Sequence, residues 1–291
     1  MATLTDTHRL DGQTILITGA SGGIGQITAR ELARRGAHLV LVCRNPERAA
    51  HTKALIQEVS PTSEPDVLLC DLSLLADVRV LAAEIARRYQ KLDVLINNAG
   101  IMPGPLTITS EGHELSWVTN HLAPFLLTNL LLPLLEAAGR ARIITVASEA
   151  HWLGEIEPAQ NFRNAQDKYS SFTAYCDSKL ANILFTNELA HRLELTGITA
   201  NCLHPGIVDT GLVNPGSSRL LKLMWLLARP LMVTAEVGAQ TSIFLATDPK
   251  VAAVSGRYFK RNKPARTSAT AQNRAEASRL WRISAEETGL E

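Results

Sequence analysis

The chain carries no excess of either charge: 29 lysines and arginines against 28 aspartates and glutamates leave a net charge of +1, with no basic run. That balance excludes the electrostatic footprint of a nucleic-acid binder. Only four cysteines occur, Cys43, Cys70, Cys176 and Cys202, and none forms a C-x-x-C pair. Buried, reduced thiols in a cytosolic compartment are the expectation. No apolar run reaches the roughly eighteen residues that a membrane span requires. The nearest, residues 220–233, is interrupted by Lys222, Arg229 and Pro230. The opening stretch, Met1 to Arg9, is polar and lacks the apolar centre of an export signal, so a cytoplasmic protein without an integral anchor is expected. None of the eight histidines stands at metal-ligand spacing, so no metal is expected, and His204, beside Pro205, reads as a packed turn residue. No internal repeat or low-complexity linker divides the chain, which at 291 residues and 46% hydrophobic content suits one large domain over residues 1–291.

What the chain does contain is strand-like runs alternating with helical patterns. Thr14 to Ile17 is apolar and ends in Thr18-Gly19-Ala20-Ser21-Gly22-Gly23-Ile24-Gly25, after which an amphipathic helix pattern runs to Arg35 and stops at Gly36. Strand, glycine turn and helix follow in the order a phosphate site needs, because glycines let backbone approach a pyrophosphate and a helix N-terminus favours the anion. His38 to Cys43 reads as a second strand, closing a βαβ unit. At its end stands Arg44, with Arg48 nearby, where an NAD-binding unit would offer an acid to the ribose 2′-OH. A guanidinium suits a 2′-phosphate, so NADP(H) is favoured over NAD(H).

A third strand, Val67 to Cys70, ends at Asp71, which could accept from an adenine amino group or cap the following helix. A fourth, Asp93 to Ile96, ends at Asn97-Asn98-Ala99-Gly100, small and amide residues that let a cofactor approach or simply build a turn. Glu111 to Glu136 is a Leu-rich helical stretch in which Pro124 and Pro133 predict a kink or break. Asn120 lies within it, either satisfying backbone at the kink or holding a water. The fifth strand, Arg142 to Ala147, delivers Ser148 to the same sheet edge, and a sixth, Ile198 to Leu203, is followed by the rigid turn Pro205-Gly206. Gly256 to Lys260 reads as a short last strand and Ala271 to Glu287 as a terminal helix. Between the Pro205-Gly206 turn and that last strand, residues 207–233 form a Leu-, Met- and Trp-rich segment readable as a substrate lid, a dimer contact or a peripheral membrane contact.

Tyr175-Cys176-Asp177-Ser178-Lys179 opens a helical pattern in which Leu180, Ile183 and Leu184 share a face. Tyr175 and Lys179, four residues apart, are neighbours one turn up. A phenol titrates near pH ~10 and exchanges protons poorly at neutral pH. A fixed ammonium beside it is expected to lower that value, which makes Tyr175 a candidate acid or base.

Strands alternating with helices, with polar residues delivered at strand ends, predict an α/β fold: a doubly wound (Rossmann) parallel sheet of about seven strands flanked by helices. Thr18 to Gly25 as T-G-x-x-x-G-x-G, Asn97 to Gly100, Asn120, Ser148, Tyr175-x-x-x-Lys179 and Pro205-Gly206 together resemble the short-chain dehydrogenase/reductase family, in that family's order across nearly the whole chain. Asn120 to Leu131, Ser178 to Thr186 and Gly238 to Thr241 are similar to its retinol dehydrogenase branch, although members often carry Gly-His where this chain has Ala123-Pro124.

The resemblance implies that Tyr175 exchanges a proton with the substrate oxygen, that Lys179 lowers the tyrosine pKa and holds the nicotinamide ribose, and that Ser148 orients the carbonyl or alcohol. It implies that Asn120 positions a water in a proton relay. The coenzyme is then expected against Gly19, Ser21, Gly22, Gly23, Ile24 and Gly25 of the first turn. Arg44, Asp71, Leu72, Asn98, Ala99 and Gly100 follow along the strand ends, and Tyr175, Lys179, Pro205, Gly206, Val208 and Thr210 complete the set. The expected activity is hydride transfer between NADP(H) and a lipophilic alcohol or carbonyl, retinoid-, fatty-aldehyde- or steroid-like, with homo-oligomers common in the family. The alternative is an NADP(H)-binding sensor or scaffold without turnover.

Overall fold

Strand sequences such as Ile15-Leu16-Ile17 and Leu39-Val40-Leu41-Val42 are apolar without alternation, the pattern of strands covered on both faces. In the computed structural model, which describes residues 8–156, 169–208 and 232–290, they pair in parallel and helices cover both sides. The order along the chain is β1 (Thr14–Thr18), α1 (Gly23–Arg34), β2 (His38–Cys43), α2 (Pro46–Val59), β3 (Asp66–Leu69), α3 (Leu75–Arg88) and β4 (Val94–Asn97). There follow α4 (Leu115–Ala137), β5 (Ala141–Val146), a 3₁₀ turn (Glu149–Leu153), α5 (Ser171–Arg192), β6 (Ile198–His204), α6 (Ala235–Thr247), β7 (Arg257–Lys260), β8 (Lys263–Pro264) and α7 (Arg274–Thr288).

The sheet order is β3-β2-β1-β4-β5-β6-β7-β8, with every neighbour parallel except the last pair. The chain reverses direction across the sheet between β1 and β4, so a crevice opens at their C-terminal ends. Eight strands replace the expected seven or so, because two residues after β7 fold back through Arg261 and Asn262, both at positive φ, onto its edge. A two-residue strand leaves no periodic signal.

Two apolar layers enclose the sheet. Leu32, Leu39, Leu41 and Ile56 pack one face under α1, α2 and α6. Phe125, Leu126, Leu184 and Phe185 pack the other under α3, α4, α5 and α7. The C-terminal helix closes that second layer: Trp281 stands 4.9 Å from the Phe125 ring and 5.9 Å from Phe185, and Arg192 lies over its indole at 4.2 Å.

At Pro124 the structure refines the expected break. The helix runs on, but Val118–Leu122 widens into a π-turn in which Ala123 N–H reaches back to Val118 C=O. Pro124 has no N–H to return to the Asn120 carbonyl, and a single wide turn absorbs the mismatch without ending the helix. This helix is long and apolar enough to span a membrane, but 78% of its apolar window is buried inside the protein, so it serves as a core helix. The expectation that no stretch is apolar for long enough is corrected here; scattered polar residues such as Asn120 and Thr128 concealed it.

Phe125 is 1% exposed at the centre of the aromatic layer. Phe125→Ala should lower the free energy of unfolding by about 3–5 kcal/mol, measured by denaturant titration. A loss below about 1 kcal/mol would show that the layer collapses around the gap and contributes little.

Candidate active site

The first glycine turn is shaped by what a side chain would strike. A Cβ on Gly25 would stand 2.4 Å from Gly19 O and 2.5 Å from Asn98 Nδ2, so backbone here passes closer than any other residue allows. Thr18 and Asn98 lock that turn to β4. Thr18 Oγ1 accepts from the N–H groups of Asn98 and Ala99 at 3.0 and 3.1 Å, and Asn98 Nδ2 donates to Thr18 O at 2.8 Å. The start of α1 has no side-chain cap. Its free N–H groups therefore face the crevice as an anion cradle.

That crevice is a cavity of about 940 Å³ reaching from Arg44 and Arg48 at one end to Ser148 and Tyr175 at the other. It is lined by every expected cofactor position that falls among the described residues: Gly19, Ser21 to Gly25, Arg44, Asp71, Leu72, Asn98 to Gly100, Tyr175, Lys179, Pro205, Gly206 and Val208. Thr210 and residues 209–231 of the expected lid lie outside the described residues. The ends of that segment, Ile207, Val208 and Val233, do line the cavity. Arg44 is exposed at the end of β2, and Arg48 extends over the turn, its Nη2 2.8 Å from where a Gly22 Cβ would be. For Asp71 the structure shows local bonding, since its Oδ1 accepts from Ser73 N–H at 3.0 Å and from Ser73 Oγ at 2.7 Å.

Ser148 stands two residues past the end of β5. Its Oγ accepts from Ala150 N–H at 3.2 Å, starting the 3₁₀ turn, and lies close enough to the Tyr175 phenol to favour the phenolate. His151 holds this corner from behind: its Nδ1 donates to Ser148 O at 2.7 Å while Nε2 accepts from Ser268 N–H at 3.2 Å. His204 accepts from Glu149 N–H at 3.3 Å, and burial lowers its pKa to about 4, so it packs neutral at the turn. Glu149 in turn accepts from Tyr258 and Lys260 at 2.8 and 2.7 Å.

One helical turn beyond Tyr175, Lys179 is buried and donates from Nζ to Val146 O at 2.9 Å. Its ammonium lies 5.6 Å from the Tyr175 ring centre. Gly100 completes the floor, where a Cβ would sit 3.2 Å from Lys179 Nζ. Burial lowers the Lys179 pKa to about 8 and raises that of Tyr175 to about 12, the latter partly offset by the Ser148 hydroxyl. The expected lowering of the tyrosine value by Lys179 is thus not what dominates. Removal from water penalises both charged forms more than their proximity rewards them.

Asn120 sits apart from the cavity, fully buried. Its Oδ1 accepts from Ile101 N–H at 2.8 Å, and its Nδ2 donates to Ile101 O at 2.9 Å and to Ser178 Oγ at 3.0 Å. The amide is therefore bonded to backbone and serine. Backbone satisfaction, one of the two readings of Asn120, is present, at Ile101 rather than at the helix kink. The cavity also draws on residues that sequence reasoning did not assign: Met102, Glu149, Phe172, Val237, Gln240 and Arg261. They come from five separate stretches, and only their three-dimensional convergence reveals them.

The family profile described as short chain dehydrogenase matches residues 13–220. The chain belongs to the short-chain dehydrogenase family and is an oxidoreductase of that fold. Within the family it resembles the retinol dehydrogenase branch: it is 42% identical to human (Homo sapiens) retinol dehydrogenase 12 over 282 residues, which covers 97% of this chain and 88% of that one. Among solved structures, an uncharacterised protein of Mycobacterium paratuberculosis matches with a TM-score of 0.79 at 33% identity, over 98% of this chain and 97% of that one. A short chain dehydrogenase from Escherichia coli CFT073, complexed with NADPH, matches with a TM-score of 0.66 at 26% identity, over 88% and 99% of the two chains.

The Lys179 value sets a stability test with a definite sign. Its pKa is about 8 folded against an ordinary 10.5, so between those limits the unfolded chain binds the extra proton and native stability from this group rises with pH. Lys179→Met has no such proton. Its melting temperature should therefore fall relative to that of the native protein as pH is raised from 8 to 10.5, and a difference that stays constant over that window would contradict a buried, titrating lysine.

Proposed function

We propose that the protein is an NADP(H)-dependent oxidoreductase of the cytoplasm that interconverts a carbonyl and an alcohol on a lipophilic small molecule, retinoid-, fatty-aldehyde- or steroid-like. The observation that carries this reading is the meeting of Ser148, Tyr175 and Lys179 at one end of a cavity whose other end holds Arg44 and Arg48. Four buried thiols, none paired, accord with a reducing compartment.

The cavity fits a dinucleotide on the chain's own terms. The glycine turn leaves room that a Cβ would fill, and the uncapped start of α1 offers N–H groups to a pyrophosphate. Arg44 and Arg48 would hold a 2′-phosphate, each as a charge-assisted donor. Gly100 leaves space for a ribose beside Lys179 Nζ, which would donate to its hydroxyls. Bound there, the nicotinamide supplies or accepts hydride at the carbonyl carbon.

The chain's side chains do the rest. Ser148 Oγ donates to the substrate oxygen and fixes its position beside the Tyr175 hydroxyl. Tyr175, with its pKa raised to about 12, is protonated at neutral pH and gives its proton to that oxygen during reduction. In the reverse direction it takes the proton back, and the neighbouring ammonium of Lys179 favours the phenolate so formed. Asn120 acts through structure, holding Ile101 and Ser178 so that the cavity floor and the Tyr175 turn keep their register.

NADPH consumption with a panel of apolar aldehydes and ketones, all-trans-retinal among them, tests the reading. Tyr175→Phe should lower kcat at least about a hundredfold while NADPH still binds. Unchanged turnover in that variant sinks the assignment, and tight NADPH binding with no substrate turned over favours a sensor. Arg44→Ala should reduce the preference for NADPH over NADH by at least about tenfold in kcat/KM. An unchanged preference removes Arg44 from coenzyme selection.

A further inference from the structure

Beneath Lys179 lies a run of buried polar groups that takes no part in lining the cavity. His121 and Asn182 are 0% and 2% exposed. Groups so far from water need protein partners. Asn182 Nδ2 approaches Val146 O at 3.4 Å, the same oxygen that accepts from Lys179 Nζ at 2.9 Å. On the far side, His121 Nε2 is 2.7 Å from Ser284 Oγ of the C-terminal helix. Two atoms are left over, His121 Nδ1 and Asn182 Oδ1, and among the described residues neither makes a hydrogen bond of full geometry. The Asn182 side chain lies beside the His121 ring, whose pKa burial drives down to about 3.

Donor and acceptor logic then orients the whole run. A carbonyl only accepts, so Asn182 turns its NH₂ toward Val146 and its Oδ1 toward His121. A neutral ring facing that oxygen carries its proton on Nδ1, which leaves Nε2 to accept from the Ser284 hydroxyl. The reversed arrangement would set two oxygens against each other at Val146.

We propose that Ser284, His121 and Asn182 are positioning residues that act in sequence to fix the Val146 carbonyl, and through it the Lys179 ammonium, so that the C-terminal helix sets the geometry of the site. That the lysine's placement governs turnover rests on the reading given above; that it is set from beneath does not. His121 lies on the π-turn beside Asn120, and Asn182 lies one turn beyond Lys179. The same run therefore ties both helices to the end of β5.

The test reads the titration of the Lys179 ε-carbon by NMR in ¹³C-lysine-labelled protein without coenzyme or substrate, with Lys179→Arg assigning the signal. Melting temperature and kcat are followed in parallel. His121→Leu and Asn182→Leu should move the Lys179 midpoint below its native value, because the ammonium loses a fixed acceptor, and should lower kcat about tenfold. His121→Asn keeps an N–H near the Nδ1 position and should restore both to near native. A midpoint unchanged in the folded leucine variants overturns the proposal. So does a His121→Asn variant as impaired as His121→Leu, since that is the mark of a packing role alone. If the leucine variants do not fold, Asn182→Ser and Ser284→Ala carry the test with the same two outcomes. Because the titration needs no turnover, a native protein that reduces nothing would count against the proposed function and leave this test standing.

Discussion

The contact on which the site depends is the bond from Lys179 Nζ to the Val146 carbonyl at 2.9 Å. It pins α5 to the end of β5, two residues before Ser148. Because Tyr175 is one turn back on the same helix, the bond also sets where the phenol stands relative to the serine. Strand end, serine, phenol and ammonium thereby become one rigid unit facing the glycine turn. The parallel sheet supplies the other half of the geometry, since all the strands that meet there deliver their C-terminal ends to a single edge.

That unit is electrostatically poised by burial. A lysine brought down to about 8 and a tyrosine raised to about 12 both resist charging where they are buried, although each would favour the charged form of the other. Low dielectric penalises an isolated charge and strengthens a pair at the same time. A site of this kind answers strongly to whatever hydroxyls or carbonyl oxygens enter it. The polar run beneath, with every donor direction dictated by the Val146 oxygen, explains how a buried ammonium is held still without a carboxylate beside it among the described residues.

The sequence made the fold legible where the physics is local. Continuous apolar runs such as His38 to Cys43 announced buried parallel strands, and Pro and Gly fixed the turn after β6. Tyr175 and Lys179 were readable because helical spacing alone makes them neighbours. Ser148 and the glycine turn followed from strand ends that share an edge. What stayed hidden is set by contacts between distant residues. The pKa of Tyr175 depends on burial that no local pattern encodes, and the Asn120 amide is used by Ile101, nineteen positions away. His121 and Asn182 carry no spacing signal at all. Pro124 was visible as a break, but its outcome, one wide turn in an unbroken helix, depended on the packing of Phe125 and its neighbours against α5 and α7.

The most direct measurement is a crystal structure with NADP⁺ bound. The account predicts the nicotinamide ribose within about 3 Å of Lys179 Nζ, the 2′-phosphate between Arg44 and Arg48, and the Tyr175 hydroxyl beside the ring carbon that delivers hydride. A coenzyme seated with its nicotinamide remote from Tyr175, or with its phosphate away from both arginines, would contradict it.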